Sequence, residues 1–367
     1  MKDYYNNYNY FGDESNEAYP DFFLEWDNAV NSGKKPGFYE PEELTEIIEI
    51  YIINNQIKRA RQAINYTLRI YSDDEELLYE ILLLLNDYEC WNDLLTICEK
   101  LKRDEPDVWI EGHRLTALLH LGMEDESFIR FQKLKAQFAG DKEDLSIIYQ
   151  AMGEALCDVD LFDSCIEVIE EAIENLDEDI NFYWLQMQCY VSLNCKEEVL
   201  RLAEVIQNLD PLDSETWYRL GLFFQDIDDK EKAIDAFEYA QSLGYDEEEI
   251  LVHLIYVYDK NKNFNKALEK AKEYLNLFPD NYLINMMAAK FNSLMENWED
   301  AVKYVDVTLR LTPNIESLYL YKSNFLLRME EYKKAKLTLI EGLKNTKDSQ
   351  GYLSRKLSKL NKQYPDY

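Results

Sequence analysis

The stretch from Asp213 to Glu247 reads DSETWYRLGLFFQDIDDKEKAIDAFEYAQSLGYDE. The apolar and small residues of its first half recur at helical spacing: Trp217, Leu220, Gly221 and Phe224. Those of its second half do the same: Ala233, Phe237 and Ala240. Helical spacing of this kind predicts two amphipathic helices. Small residues at their crossing allow the helix axes to approach to about 8–10 Å. The stretch therefore predicts one tightly packed helix pair.

The position of Ala233 recurs along most of the chain. Its occupants are Ala60, Leu94, Ser127, Cys165, Val199, Ala233, Ala267, Ala301 and Ala335. The steps between them are 34 residues, except for one step of 33 and one of 38. We predict nine tandem helix pairs over residues 41–349, and we expect Gly140 and Asp141 to lengthen a turn within the longest step.

A 34-residue pattern of Trp, Leu-Gly, an aromatic residue, and then Ala and Phe resembles the tetratricopeptide repeat family. The resemblance covers most of the chain and implies an all-α fold. In that family the fold is a right-handed α-solenoid of tandem antiparallel helix pairs, with N- and C-terminal capping helices. The first three units depart most from the pattern, because their Trp positions hold Leu44, Leu78 and Glu111.

Four segments are predicted around and within this array. Residues 1–19 are rich in Tyr, Asn and acidic residues and predict a flexible arm. Residues 20–40 predict an N-terminal capping helix and a loop, residues 41–349 the nine repeats, and residues 350–367 a C-terminal capping helix and tail. The last helix is amphipathic and basic, so contact with a membrane or an acidic partner is the alternative to capping.

Charge and composition limit the partners and the location. The formal net charge is -33, which disfavours nucleic acid as a partner. The acidic excess indicates either a basic protein or peptide partner or simply a solvated surface. No apolar run approaches the length of a membrane span, and the first residues lack the apolar region of a secretory signal. The six cysteines form no C-x-x-C motif, which favours a reducing compartment and a cytoplasmic location.

Catalytic and metal-binding motifs are absent from the sequence. It contains no phosphate-binding glycine motif, no nucleophile elbow and no H-E-x-x-H motif. His113, His120 and Glu154 are the nearest approach to a metal site, but we interpret them as packing or groove residues. We therefore expect a protein that is not an enzyme and needs no cofactor.

The resemblance implies that the first helix of each pair lines a concave groove that holds a peptide or a partner helix. The exposed positions lie two before, one after and five after the Trp position. The predicted groove residues are Tyr79, Trp109, Gln150, Glu154, Trp184, Gln188, Tyr218, Tyr256 and Lys290. Aromatic anchors between amides are typical of binding hot spots. The alternative is that these aromatic rings pack against the neighbouring first helix.

The sequence thus predicts a protein- or peptide-binding scaffold or adaptor. A second hypothesis is a structural subunit that assembles with copies of itself into a homo-oligomer. In that case its groove is filled by its own N-terminal arm. Family members that bind chaperone C-termini use a Lys and several Asn on the first helices. Only Lys290 and Asn324 match those positions here. Glu49 and Glu154 would repel a carboxylate, which disfavours a chaperone C-terminus as the partner.

Overall fold

The computed structural model describes residues 19–101, 106–348 and 350–365, and within these ranges all regular secondary structure is helical. The chain forms two compact units, one ending at Asp177 and the other starting at Glu178. The helices of the first unit are α1 (Asp21–Asn31), α2 (Pro41–Ile53), α3 (Ile57–Ile70), α4 (Glu75–Asp87), α5 (Trp91–Lys100), α6 (Val108–His120), α7 (Glu124–Gln137), α8 (Lys142–Asp158) and α9 (Phe162–Asn175).

The second unit continues the same alternation of first and second helices. Its helices are α10 (Ile180–Ser192), α11 (Lys196–Leu209), α12 (Ser214–Asp226), α13 (Lys230–Ser242), α14 (Glu247–Lys260), α15 (Phe264–Leu277), α16 (Tyr282–Leu294), α17 (Trp298–Leu311), α18 (Glu316–Arg328), α19 (Tyr332–Asn345) and α20 (Tyr352–Gln363). From α2 to α19, each even-numbered helix packs against the odd-numbered helix that follows it, which gives the predicted nine pairs.

The turn inside each pair contains one residue in the left-handed region of the backbone. These residues are Asn55, Glu89, Gly122, Asp160, Asn194, Asp228, Lys262, Glu296 and Glu330. Each lies five positions before the recurring small residue of the same pair, so the backbone repeats with the same steps as the sequence. The nine pairs therefore occupy structurally equivalent positions, as predicted.

The recurring small position is buried in all nine pairs, with at most 2% of each side chain exposed. In one pair the Cys165 thiol donates a hydrogen bond to the carbonyl of Gly153 across the crossing, at 3.2 Å. In another, the Ser127 hydroxyl donates to the carbonyl of Leu115 at 3.4 Å. A small side chain at this position thus brings the second helix against the backbone of the first.

The 38-residue step has a different cause from the one we expected. The turn before α8 spans residues 138–141, the same length as the turns over residues 71–74 and 210–213. The added residues instead extend α8, which is 17 residues long. Asp141 caps its start by accepting hydrogen bonds from the backbone N–H groups of Glu143 and Asp144, which favours a helix there. The predicted lengthening of the turn was wrong.

The side chain at the Trp position also donates a hydrogen bond, which the apolar pattern does not predict. The Trp217 Nε1–H donates to the carbonyl of Pro211 at 2.8 Å, and the indole is only half-buried. In other pairs the same position donates to the equivalent proline carbonyl: Asn285 to Pro279 at 2.9 Å and Tyr319 to Pro313 at 2.8 Å. A donor at this position therefore ties the start of a first helix to the preceding turn.

The third pair holds a carboxylate at the Trp position and compensates its charge. Glu111 is 4% exposed and accepts hydrogen bonds from Arg114 Nη1 and from Arg130 Nε, both at 2.7 Å. Arg114, itself 5% exposed, also donates to the carbonyl of Cys98. A buried carboxylate requires such partners, because an isolated charge is strongly disfavoured in an apolar interior.

Terminal helices cover both ends of the array. Phe23 and Trp26 of α1 are buried, and the Tyr51 hydroxyl donates to Asp27 at 2.8 Å. Leu353 and Leu360 of α20 are buried in a cluster with Tyr319 and Leu339.

The segment division proposed from sequence stays a prediction. Most of the predicted N-terminal arm lies outside the described residues. Tyr19, its last residue, packs on Phe23 with ring centroids 4.9 Å apart.

Candidate polypeptide-binding surface

Three positions of each first helix form what we call the first-helix face: two before, one after and five after the Trp position. The position one after is buried or half-buried in eight of the nine pairs, with Val252 as the exception. We call the other two positions open, because the position two before is exposed in eight of the nine pairs and the position five after in five of them. In the first unit they include Trp109 and Leu83, and in the second Leu283 and Tyr256.

Two of the predicted groove aromatics lie in the core of the second unit. Trp184 is 4% exposed, stacks on Phe223 with centroids 5.7 Å apart, and has the Arg219 guanidinium 4.1 Å from its ring centroid. Its neighbours come from the adjacent first helix, α12. The burial of Trp184 favours the packing interpretation for this ring.

Tyr218 is buried in the same way. Its ring stacks on Tyr245 with centroids 4.2 Å apart, and its hydroxyl donates to Glu249 at 2.8 Å. The hydroxyl also lies 3.1 Å from His253 Nε2. Tyr218 therefore holds α12 against α14, and a ligand could reach it only by displacing these contacts.

The polar members of the predicted set bond to neighbours on their own unit. The half-buried Tyr79 donates its hydroxyl hydrogen bond to Asp107, and Gln150 Nε2 donates to Glu154 at 2.8 Å. Gln188 is half-buried. Lys290 Nζ lies 2.6 and 2.9 Å from the two carboxylate oxygens of Asp259, so its charge is locally neutralised.

The exposed aromatic and aliphatic side chains give the surface its apolar area. Trp109 is 57% exposed and Tyr256 is 36% exposed. Leu83, Val252 and Leu283, which the predicted set omits, are 52%, 39% and 60% exposed. Applying the same position rule to aliphatic residues would have found them.

The half-buried His253 lies at the contact between α12 and α14, where we expect it to make stability depend on pH. Desolvation lowers the pKa of His253, and Glu249 partly opposes this shift. As pH falls below the ordinary value of about 6.5, the unfolded chain takes up the proton first, so stability is lost. We expect the melting temperature to fall more between about pH 7.5 and pH 5.5 in the wild type than in His253→Gln. Equal falls in melting temperature in the two proteins would show that His253 does not cause the pH dependence.

The described residues contain no group of three or more His, Cys, Asp and Glu side chains that could hold a metal ion. Across the described ranges, no helix is long and apolar enough to cross a bilayer. Cys98, Cys157, Cys165 and Cys189 are buried, which matches a packing role.

No family model matches the sequence, and no curated protein matches it. Among solved structures, YrrB, a tetratricopeptide protein "with an unusual peptide-binding site", is 19% identical over 52% of this chain and 98% of its own, with a TM-score of 0.41. A tetratricopeptide protein from Parabacteroides merdae is 13% identical over 69% and 98%, with a TM-score of 0.39. MamA from Desulfovibrio magneticus is 18% identical over 48% and 97%, with a TM-score of 0.38.

The chain's own repeats establish its architecture. The sequence pattern around Trp217, the buried small residue and the left-handed turn recur together in tandem helix pairs. In its fold, the chain is an all-α solenoid of tetratricopeptide repeats.

Proposed function

We propose that this chain is a non-catalytic scaffold that binds a basic polypeptide through its first-helix face. The observation that carries the proposal is the set of large apolar side chains exposed at the open positions of that face. Isolated exposed apolar residues are ordinary on protein surfaces, but aromatic anchors at regular positions of a repeat array are typical of binding surfaces.

Charge on the first unit supports a basic partner. At the three positions of the first-helix face, its four first helices carry Glu42, Glu49, Glu76 and Glu154 and no Lys or Arg. Trp109 and Leu83 are exposed among the open positions. A peptide with alternating cationic and apolar side chains complements both features, since complementary charge steers encounter and rejects acidic competitors.

The second unit offers a less charged surface. Val252, Tyr256 and Leu283 are exposed there, and Lys290 is paired with Asp259. No unpaired cation on this face would therefore repel a basic peptide. We propose that a polypeptide on the second unit is held mainly by apolar contacts, whereas binding to the first unit is selective for charge.

Selection from a random peptide display library tests the proposal without knowledge of the natural partner. We expect enrichment of peptides rich in Lys or Arg with interspersed apolar residues. Trp109→Ala should weaken the binding of such a peptide by about 2 kcal/mol, or roughly 30-fold in Kd. Isothermal titration calorimetry of the purified variants would measure the change.

Ile129→Ala is the matched control. Ile129 is 58% exposed, close to the exposure of Trp109, but it lies on the second helix α7. Its replacement should leave Kd unchanged. Enrichment of acidic peptides would refute the proposed basic partner. A loss of affinity in Ile129→Ala but not in Trp109→Ala would refute the proposed surface.

A further inference from the structure

The C-terminal end of this acidic chain is basic. Residues 332–363 contain nine Lys and Arg against two Asp and Glu, although the whole chain has a formal net charge of -33. Helix α20 itself carries Arg355, Lys356, Lys359 and Lys362 and no acidic residue. Its apolar side is used internally, because Leu353 and Leu360 are buried against the last repeat.

Two of the four cations on α20 are not used within the fold in the way that other lysines are, whereas Arg355 donates to the carbonyls of Gly351 and Gln350. Elsewhere, Lys135 contacts Glu171 at 2.6 Å and Lys142 contacts Asp177 at 2.8 Å. Lys359 and Lys362 are exposed, and neither forms an ion pair with any described residue. The outer side of α20 is therefore a cationic surface available for an anionic partner.

The opposite terminal helix has the complementary composition. On α1, Phe23 and Trp26 are buried, and the outer side exposes Asp21, Leu24 and Glu25. Asp27 is already paired with Arg59. The helix contains no basic residue, and the nearest cations in the chain after it, Lys34 and Lys35, lie in the following loop.

We propose that the outer side of α20 binds the outer side of α1 in a second copy of this chain. Inside a repeat array, each pair is covered on both sides by its neighbours. Within the described residues, α1 packs on the first pair and α20 on the last pair, and Asp21, Glu25, Lys359 and Lys362 stay exposed. Contact between two different surfaces of identical chains is a heterologous interface. Each added copy still offers one unused surface, so the assembly either closes into a ring or extends as a filament. This surface is separate from the first-helix face and does not depend on the proposed peptide binding.

Local complementarity outweighs the overall repulsion between two acidic copies under physiological conditions. The Debye length is about 8 Å at physiological ionic strength, so charges beyond the contact are largely screened. Charges facing each other across the contact lie within that length. The same reasoning predicts weaker association at high salt.

Sedimentation velocity of the full chain tests the proposal. We expect the wild type to show a mass that rises with concentration at about 0.1 M salt and returns to that of the monomer at about 1 M, where the Debye length is about 3 Å. Lys359→Glu/Lys362→Glu and Asp21→Lys/Glu25→Lys should each stay monomeric. Lys58→Glu/Lys133→Glu, which changes the net charge as much as Lys359→Glu/Lys362→Glu does but at exposed sites on other helices, should still associate as the wild type does.

Mixing the two charge-reversed variants, Lys359→Glu/Lys362→Glu and Asp21→Lys/Glu25→Lys, is the most specific test of the contact. Each retains one unaltered surface, and the two altered surfaces carry opposite charges, so the equimolar mixture should regain the association that each variant alone has lost. Unchanged melting temperatures would show that all variants fold, as expected for exposed positions.

A wild type that stays monomeric through the concentration series at low salt would overturn the proposal, and so would a mixture that stays monomeric. Vesicles containing anionic lipid provide the remaining comparison. If the monomer binds them through Lys359 and Lys362 while no self-association occurs, the cationic surface serves a membrane and the proposed second copy is wrong.

Discussion

Replacing Glu111 with Ala is expected to lower the free energy of unfolding by about 3–5 kcal/mol. The carboxylate is 4% exposed and is the shared acceptor of Arg114 and Arg130. Without it, the Arg114 guanidinium would remain buried beside another cation, with no carboxylate partner among the residues that the structure describes. Chemical denaturation monitored by circular dichroism would measure the loss.

Asp177→Ala is the control for this prediction. Asp177 pairs with Lys142, but both side chains are largely exposed, at 86% and 58%. Exposed ion pairs contribute about 0–1 kcal/mol, so this variant should unfold almost as the wild type does. If Glu111→Ala were no more destabilised than Asp177→Ala, the buried network would not contribute to stability as argued.

Gly221→Leu is expected to lower the free energy of unfolding by roughly 1–3 kcal/mol, towards the upper end of that range. A Cβ atom at Gly221 would lie 2.5 Å from two ring carbons of Phe237, a side chain with no exposed area. Because the Phe237 ring is fully buried, the overlap can be relieved only if the ring or the packed helices α12 and α13 shift. Differential scanning calorimetry would show the lower melting temperature.

Gly140→Leu separates this effect from the general cost of replacing glycine. Nothing lies within 4 Å of a Cβ atom built at Gly140, which stands in the turn before α8. This variant should melt close to the wild type. Equal melting temperatures for both variants would mean that α12 and α13 do not cross at Gly221.

The periodic features of this fold could be predicted from the sequence because they depend on local spacing. The step between Ala233 and Ala267 fixes the helix pairs, and the structure confirms their number and equivalence. The hydrogen bond from Trp217 to Pro211 depends on the geometry of the turn, which an apolar pattern does not describe. Likewise, Arg130 lies 19 positions after the Glu111 that it neutralises, so the repeat pattern gives no reason to pair them.

The candidate surface was less predictable, because exposure depends on what lies across from each side chain. Trp184, Tyr218 and Val252 occupy the same repeat position, yet only Val252 is exposed. Phe223 and Tyr245 supply the ring contacts that bury the other two. The sequence alone could identify the positions of the first-helix face but not which of them stay open.

Site-specific photocrosslinking tests most directly whether the open positions of the first helices hold a polypeptide. A photoreactive phenylalanine analogue would replace Trp109 or Tyr256 on first helices, and Ile129 or Leu337 on second helices, in the presence of a selected basic peptide. We predict crosslinked peptide at the first two positions and none above background at the other two. Crosslinking confined to the second-helix positions would contradict the claim.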